Sequence, residues 1–219
     1  MTLSPANLLI SASIFAIAVT ALTRSTLADS ETRTTAPFHA VSFEGSWTID
    51  VTVGKESSIV IEGDKDVVSR VRTEVVDGEL LVKLEPRPWT LFCKHGLGDL
   101  SAHITVPQLT AFTLKGSGDA DIDGLNGGSV SFAVSGSGDL TATGKVDTVA
   151  IVVNGSGQAD LSGLVSARAS ATINGSGDAT VNPSEALAAV VNGSGQVAYV
   201  AEGVKVTSVV HGSGMVEKQ

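Results

Sequence analysis

Residues 149–178 read VAIVVNGSGQADLSGLVSARASATINGSGD and contain two copies of the tripeptide Gly-Ser-Gly, each flanked by alternating apolar residues. The tripeptide occurs six times in the second half of the chain, starting at Gly116, Gly136, Gly155, Gly175, Gly193 and Gly212. Successive copies start 18 to 20 residues apart, which is too regular for a linker and too short for a domain. A period of this length predicts a solenoid in which each repeat is one coil.

Apolar and polar residues alternate on both sides of each tripeptide, which is the pattern of short strands that bury one face. After the tripeptide, the inward positions are predicted to be Ala120, Leu140, Ala159, Ala179, Val197 and Val216, then Ile122, Ala142, Leu161, Val181 and Tyr199. Before it, they are predicted to be Val130, Phe132, Val134, Val149, Ile151, Val153, Ala169, Ala171, Ile173, Val190, Val204, Val206 and Val209. The predicted fold class is all-β, a parallel β-helix or solenoid with about 19 to 20 residues per repeat.

The tripeptide itself is predicted to form the corner of each coil. A sharp bend requires backbone conformations that a Cβ atom penalises, so glycine on both sides of a small serine suits it. Three corners are preceded by Asn154, Asn174 and Asn192, and asparagine tolerates the left-handed region better than most residues. Stacked Asn and Asp side chains could form hydrogen-bonded ladders along the coil axis.

Residues 37–110 are predicted to form a β-rich N-terminal lobe that is continuous with the Gly-Ser-Gly solenoid of residues 111–219. Apolar residues alternate with a period of two between Val41 and Val53, as in half-buried strands. The dipeptide Asp77-Gly78 separates two further apolar runs and favours the positive φ angles of a hairpin turn. A helical turn is expected only between Asp66 and Arg70.

Residues 1–28 are predicted to be a signal peptide. The segment from Leu8 to Leu22 is apolar or small throughout, which suits a signal peptide and is short for a membrane span. Thr26-Leu27-Ala28 offers a cleavage site before Asp29. An uncleaved N-terminal anchor is the alternative. Both interpretations place the rest of the chain outside the cytoplasm, in the periplasm, the extracellular space or the cell envelope.

The composition argues against nucleic-acid binding. The 219 residues carry a formal net charge of -9, and an acidic chain lacks the Lys and Arg needed to displace phosphate counterions. The single cysteine, Cys93, excludes an intrachain disulfide and a Cys-based zinc site. We interpret Cys93 as a buried, unreactive residue, with a disulfide between chains as the alternative.

The segment from Pro86 to Leu100 (PRPWTLFCKHGLGDL) contains the side chains with the most reactive chemistry. Cys93 and His95 could act as nucleophile and base, or His95 and Asp99 could form a metal pair. We interpret the segment as a loop whose aromatic residues pack against the sheet, because neighbouring positions seldom build a catalytic dyad and no third group orients the histidine. No catalytic residue is assigned here.

Two ligand-binding interpretations of the glycine motif were considered. A phosphate-binding loop is followed by a helix, whereas each tripeptide here runs into a strand. The run from Gly116 to Asp123 (GSGDADID) resembles the calcium-binding nonapeptide repeat, but its register and period differ, and Gln158 and Gln196 replace the acid in two repeats. A single cation site at Asp119, Asp121 and Asp123 stays open as an alternative, and no metal or cofactor is assigned.

A polysaccharide-active enzyme is the main alternative to a binding protein. Glycosidic cleavage needs two carboxylates held about 5 to 10 Å apart. Asp119, Asp139 and Asp178 fall in one column, and stacking would bring the first two about 5 Å apart. This column lies at the glycine corner without Arg or Lys, and the chain has few aromatic residues to stack on sugar rings. We therefore predict that the protein is not an enzyme.

The motifs resemble a known family. Ile104-Thr105-Val106-Pro107-Gln108-Leu109, leading into Gly116-Ser117-Gly118-Asp119, looks like the entry to the head GIN domain of putative autotransporter adhesins. The run from Gly193 to Tyr199, followed by Gly203, Val204 and Gly212-Ser213-Gly214, resembles the end of that domain. The lobe from Phe38 through Asp77-Gly78 and Leu80 is similar too, so the resemblance covers residues 37–216. It departs at Gly203-Val204-Lys205, where the family commonly has Gly-x-Pro.

The resemblance implies an exported, right-handed β-helix-like fold with an adhesive role and no catalytic residues. We therefore predict a non-catalytic binding or scaffold protein of the cell envelope that is adhesin-like. Its partner is expected to be a protein or polysaccharide of the envelope or the extracellular space, with no nucleic acid. Membrane contact is expected only through an uncleaved leader. A periplasmic sensor or assembly factor is a further alternative.

Overall fold

The computed structural model describes residues 29–86 and 99–219. The predicted signal peptide, Cys93 and His95 lie outside the described residues. The only helix among those residues is α1 (Lys65–Val68), so no described helix has the length and apolar character needed to cross a membrane. The strands are β1 (Asp29–Arg33), β2 (Ala40–Gly45), β3 (Thr48–Val53), β4 (Ser58–Gly63), β5 (Val71–Val76), β6 (Glu79–Leu84), β7 (Ser101–Val106), β8 (Ala111–Gly116), β9 (Asp119–Asn126), β10 (Ser129–Gly136), β11 (Asp139–Gly155), β12 (Gln158–Gly175), β13 (Asp178–Gly193), β14 (Gln196–Tyr199), β15 (Lys205–Gly212) and β16 (Met215–Lys218).

The strands stack as a parallel β-solenoid, which confirms the predicted all-β fold class. Two runs of paired strands lie on either side of the core, and we name them by their position relative to the Gly-Ser-Gly corner. The pre-corner sheet has the order β5-β6-β2-β8-β10-β11-β12-β13-β15. The post-corner sheet has the order β1-β4-β7-β3-β9-β11-β12-β13-β14-β16. Strands β11, β12 and β13 are long enough to begin in the post-corner sheet and end in the pre-corner sheet.

The core is a continuous stack of apolar side chains between the two sheets. Parallel pairing sets Phe132 beside Ile151, and Ile151 beside Ala171, and all three are buried. The predicted inward positions from Ala120 to Ile173 are buried in the same way. Burying this surface supplies the main driving force for stacking, at about 25 cal/mol per Å² of apolar area.

Two predicted inward positions were wrong. Val190 and Val209 face outward, because the buried column in β13 is formed by Leu187, Ala189 and Val191. Each misassigned valine is followed by a second valine, so alternation does not indicate there which of the two faces the core. A shift of one residue moves a whole strand to the other face. The distance to the Gly-Ser-Gly corner decides it, because Val191 and Val210 stand two residues before the tripeptide, as Val153 and Ile173 do.

The Gly-Ser-Gly tripeptides form the corners, as predicted. At each corner a glycine carbonyl oxygen accepts hydrogen bonds from the next coil. The carbonyl oxygen of Gly136 accepts from the N–H of Ser156 (2.9 Å) and the N–H of Gly157 (3.1 Å). The same geometry extends to Gly45 in the N-terminal lobe, whose carbonyl accepts from Ser117 and Gly118, both at 3.1 Å. The sequence pattern does not mark this additional corner, because Trp47 stands where the repeat has its second glycine.

The N-terminal end of the solenoid is covered by antiparallel strands. After β2 and β3 the chain runs outward, where β4 pairs antiparallel with β7, β5 with β6, and β1 with the outer edge of β4. The Arg33 guanidinium links β1 to the end of α1 and the start of β5 by donating to the carbonyl oxygens of Val68 (3.0 Å) and Val71. The chain then returns to the other side of β2, where β8 begins the regular repeats.

The C-terminal end is open among the described residues. β15 pairs only with β13, and β16 only with β14. Val210 is 39% exposed, whereas Val191, in the same inward column one coil earlier, is 0% exposed. Antiparallel strands therefore cover the N-terminal end of the solenoid, whereas the core is partly exposed at the C-terminal end.

Candidate binding faces

The outer surface of the pre-corner sheet is flat and uncharged at its centre, and we call it the neutral face. Its two central columns contain only small or β-branched side chains, so a large ligand can approach the centre of the face closely, while Arg168 and Lys205 lie in the next column. Six strands spaced about 4.8 Å apart make it about 24 Å tall. The columns are Ala111, Ser131, Ala150, Ser170, Ala188 and Thr207, and Thr113, Ala133, Val152, Thr172, Val190 and Val209.

A ladder of asparagine amides borders the neutral face beside the corners. The Asn174 amide nitrogen donates to the Asn154 side-chain oxygen at 2.8 Å, and the Asn192 nitrogen donates to the Asn174 oxygen at 2.8 Å. The ladder expected from the sequence is thus present for asparagine. It holds three exposed side chains in a fixed orientation along the edge of the face.

The outer surface of the post-corner sheet is strongly acidic, and we call it the acidic face. Stacking brings carboxylates from distant parts of the sequence into adjacent positions, since Asp121 pairs with Asp50 and Asp139 pairs with Asp119. The acidic face comprises Asp50, Glu62, Asp119, Asp121, Asp123, Asp139, Asp160 and Asp178. One outer surface of the solenoid is therefore uncharged at its centre, and the other carries a cluster of carboxylates.

Asp121 lies among these carboxylates, and their negative charges affect its pKa. Partial burial raises the pKa of its carboxyl, and the negative charges of Asp50, Asp123 and Asp119 raise it further. Each of these effects disfavours the ionised form. A cation or a basic group that approached this surface would relieve the repulsion.

His103 joins the acidic face at its N-terminal end. Its Nδ1 lies 2.8 Å from the Asp50 carboxylate, and its Nε2 lies 3.3 Å from the Ser101 hydroxyl and 3.9 Å from Glu62. This arrangement has the order of a Ser-His-Asp triad, but catalysis by such a triad also needs free N–H donors for an oxyanion. β7 is paired on both sides, with β3 and β4, so its amides are used in the sheet. We therefore interpret the group as a charge cluster.

The sequence pattern did not predict the His103 cluster. Asp50, Glu62 and His103 are brought together by the parallel pairing of β3 with β7 and the antiparallel pairing of β4 with β7. Residues 53 positions apart in sequence carry no periodic signal that relates them. The alternating pattern of β7 indicates only that Ser101 and His103 share a face.

The structure places Asp119, Asp121 and Asp123, the residues of the alternative cation site, on one straight strand. Alternate residues of a strand lie about 6.6 Å apart, so the three carboxylates form a row rather than a cage. The Asp123 carboxylate also accepts a hydrogen bond from the Thr143 hydroxyl at 2.7 Å. Among the described residues, no three His, Cys, Asp or Glu side chains are grouped so that they could hold a metal ion.

The acidic column of the enzyme hypothesis has the predicted register. Asp139 pairs with Asp119, while Gln158 separates Asp139 from Asp178. All three aspartates are exposed on the outer face of the sheet. Glycosidases enclose the scissile bond between two carboxylates, and this flat column offers one side only.

Of the other predicted candidates, Cys93 and His95 lie outside the described residues and Asp99 lies at their border. A cavity of about 160 Å³ is found at the covered end, where Thr32, Arg33, Phe38 and Ser58 contribute to its wall. Ligand pockets generally measure 300 to 1,000 Å³, so this cavity is small for an organic ligand. Among residues 29–86 and 99–219, the extended outer faces are the main candidate binding surfaces.

The chain was compared with known proteins. The model of a family described as "Putative auto-transporter adhesin, head GIN domain" matches residues 37–203. No protein of curated function matches the chain.

Several solved structures have a similar fold. A putative adhesin from Bacteroides fragilis is 19% identical with a TM-score of 0.67, and the match covers 89% of this chain and 98% of that one. A putative lipid binding protein from Parabacteroides distasonis is 17% identical with a TM-score of 0.56, covering 89% and 98%. A putative adhesin from Parabacteroides merdae is 19% identical with a TM-score of 0.51, covering 89% and 97%. At these identities the likeness concerns the fold.

Proposed function

Because the chain belongs to the head GIN domain family of putative auto-transporter adhesins, we propose that it is an exported, non-catalytic binding protein of the cell envelope that acts as an adhesin. Membership of this family supports association with the cell surface or envelope. The apolar segment from Leu8 to Leu22 supports export by the secretory route. The ligand in this proposal is a protein or polysaccharide outside the cytoplasm.

The neutral face is the observation that carries this proposal. Its centre combines hydroxyl groups with apolar side chains such as Val152 and Val190, and it contains no charge that a ligand would have to desolvate. The backbone beneath it is fixed by pairing on both sides of each strand from β8 to β13. Binding to a rigid surface costs little conformational entropy, so many weak contacts over a large area can add up to useful affinity.

The test is binding of the purified chain to immobilised envelope polysaccharides and extracellular-matrix proteins, with a matched pair of variants. Thr172 and Thr141 are outward-facing threonines near the centres of the neutral face and the acidic face. We expect Thr172→Arg to weaken binding at least about tenfold, because a long charged side chain holds the ligand off the surface, equivalent to about 1.4 kcal/mol. Thr141→Arg should leave binding within about twofold. Thr172→Arg should keep the thermal midpoint of the parent chain, and Thr141→Arg should not lower it, because its guanidinium lies between Asp121 and Asp160.

Three results would contradict the proposal. Equal binding by Thr172→Arg and the parent chain would exclude the neutral face. Recovery of the mature protein in the cytoplasmic fraction would exclude the envelope role. Cleavage of an envelope polysaccharide that is lost in Asp139→Ala would favour the polysaccharide-active alternative, and a specific protein partner inside the periplasm would favour a sensor or assembly factor.

A further inference from the structure

The open C-terminal edge has an apolar surface that the adhesin proposal does not use. Val210, which faces the core, is 39% exposed, and Val206, four residues earlier on the same face, is half-buried. β15 is an eight-residue strand without proline, and its outer edge has no pairing partner among the described residues. Free strand edges of this length tend to pair with another strand, and natural proteins usually protect them.

The opposite end of the molecule shows such protection. Antiparallel strands β1, β4 and β5 cover it, and the edge strand β5 contains Arg72 and Glu74, paired at 3.1 Å. Charged side chains on an edge strand discourage further pairing. On β15 the basic residues Lys205 and His211 lie near the two ends, so the centre of this strand, Val206–Val210, carries no charge, while the neighbouring β16 contains Glu217 and Lys218.

We infer that the C-terminal edge binds the C-terminal edge of a second copy, so that two solenoids join end to end around a two-fold axis. Antiparallel pairing of identical strands satisfies this symmetry, because each residue i contacts j and j contacts i. This inference is independent of what the neutral face binds.

The two-sided pattern of β15 limits the register, and the positions of its two inward valines select among the registers that remain. Inward side chains must meet inward ones, so paired residue numbers must add up to an even number. Pairing Ser208 with its own copy sets Val206 opposite Val210 of the second copy, which continues the buried column of Leu187 and Val191. The half-exposed valines thereby gain the apolar neighbours that earlier coils provide.

The available area is sufficient for a dimer. Eight residues of β15 span about 26 Å, and two sheets about 10 Å apart with their side chains are about 20 Å thick. Pairing two end surfaces of about 500 Å² each buries about 1,000 Å², which is the lower limit for a specific interface. We expect a dimer that dissociates in the micromolar range.

The experiment is sedimentation velocity of the full chain at 1 to 100 μM with two valine variants of equal exposure. Val210→Lys sets two lysines into the proposed interface and should raise the dissociation constant at least about 100-fold. Val165, 40% exposed on β12, gives the control Val165→Lys, which should dimerise like the parent chain. Both variants keep residues 1–28, so any self-association through this segment would be the same in the two variants.

Cross-linking tests the register separately from the stability of the last coil. In a Cys93→Ser background, Ser208→Cys should form a disulfide-linked dimer under mild oxidation, whereas Ser131→Cys on the neutral face should not. A parent chain that stays monomeric at 100 μM overturns the inference, and so does a dimer that survives Val210→Lys or fails to cross-link through residue 208.

Discussion

The two glycines of each corner are required for different physical reasons. Gly136 has a φ of +127°, which side chains with a Cβ rarely adopt, and a Cβ there would also overlap the carbonyl oxygen of Gly116. Gly138 lacks this unusual φ, but a Cβ would overlap the carbonyl oxygen of Gly118. The close approach of successive coils therefore excludes a side chain at both positions. Each tripeptide contributes in this way to the tight stacking of the solenoid.

This distinction predicts how alanine substitutions differ. Gly136→Ala should lower the free energy of unfolding by about 3 kcal/mol or more, because backbone strain and a clash with a neighbouring coil add together. Gly127 is the matched control, since its φ of +69° is also positive but nothing lies within 4 Å of a Cβ built there. Gly127→Ala should cost only about 1 kcal/mol. Urea denaturation measures both, and equal losses would contradict the clash.

Among the elements, the asparagine ladder shows how an exposed side chain can stabilise a stack. Asn174 both donates to Asn154 and accepts from Asn192, so it joins three coils. Asn174→Ala should therefore lower the free energy of unfolding by about 1 to 2 kcal/mol, the net value of two hydrogen bonds. Asn126→Ala, an exposed substitution at the end of β9, should cost less than about 0.5 kcal/mol. Equal losses in urea denaturation would show that the ladder adds nothing.

The elements also explain which parts of the fold could be predicted. Each repeat carries its own register mark, the Gly-Ser-Gly corner, so the buried columns around Phe132 and Ile151 follow from the sequence alone. The covered end has no such mark. Nothing in the alternating pattern of residues 37–110 indicates that β2 pairs with both β6 and β8, because these partners are set by long-range closure. The His103 cluster depends on the pairing of β7 with β3 and β4, which the pattern does not mark either, so it could not be predicted.

At the scale of the whole molecule, one coil stack presents two different outer surfaces. The neutral face is compatible with a large uncharged ligand, while the acidic face, with a raised pKa at Asp121, repels other acidic molecules. The formal net charge of -9 acts in the same direction. Anionic partners are therefore expected to approach the neutral face and not the acidic face. This asymmetry gives the molecule an orientation relative to a negatively charged surface.

The quasi-one-dimensional architecture also predicts how the molecule opens. Each coil is stabilised only by its two neighbours, so a coil with one neighbour opens first. β12 pairs with β11 and β13 along almost its whole length, whereas β16 pairs with β14 through four residues. Amide hydrogen exchange should therefore be slowest in β11 and β12 and fastest in β15 and β16.

The Val210→Lys variant is the right protein for this measurement, because its C-terminal edge is free of the proposed second copy. Exchange followed by mass spectrometry should give an opening free energy that falls stepwise from the central coils towards β16. In the parent chain at 100 μM, the inferred pairing should slow amide exchange in β15. The slowing factor should match the ratio of dimer to monomer at that concentration. A single exchange rate shared by every strand of the variant would contradict this prediction. It would mean that the solenoid unfolds as one cooperative unit, because the coupling between coils exceeds the stability of any single coil.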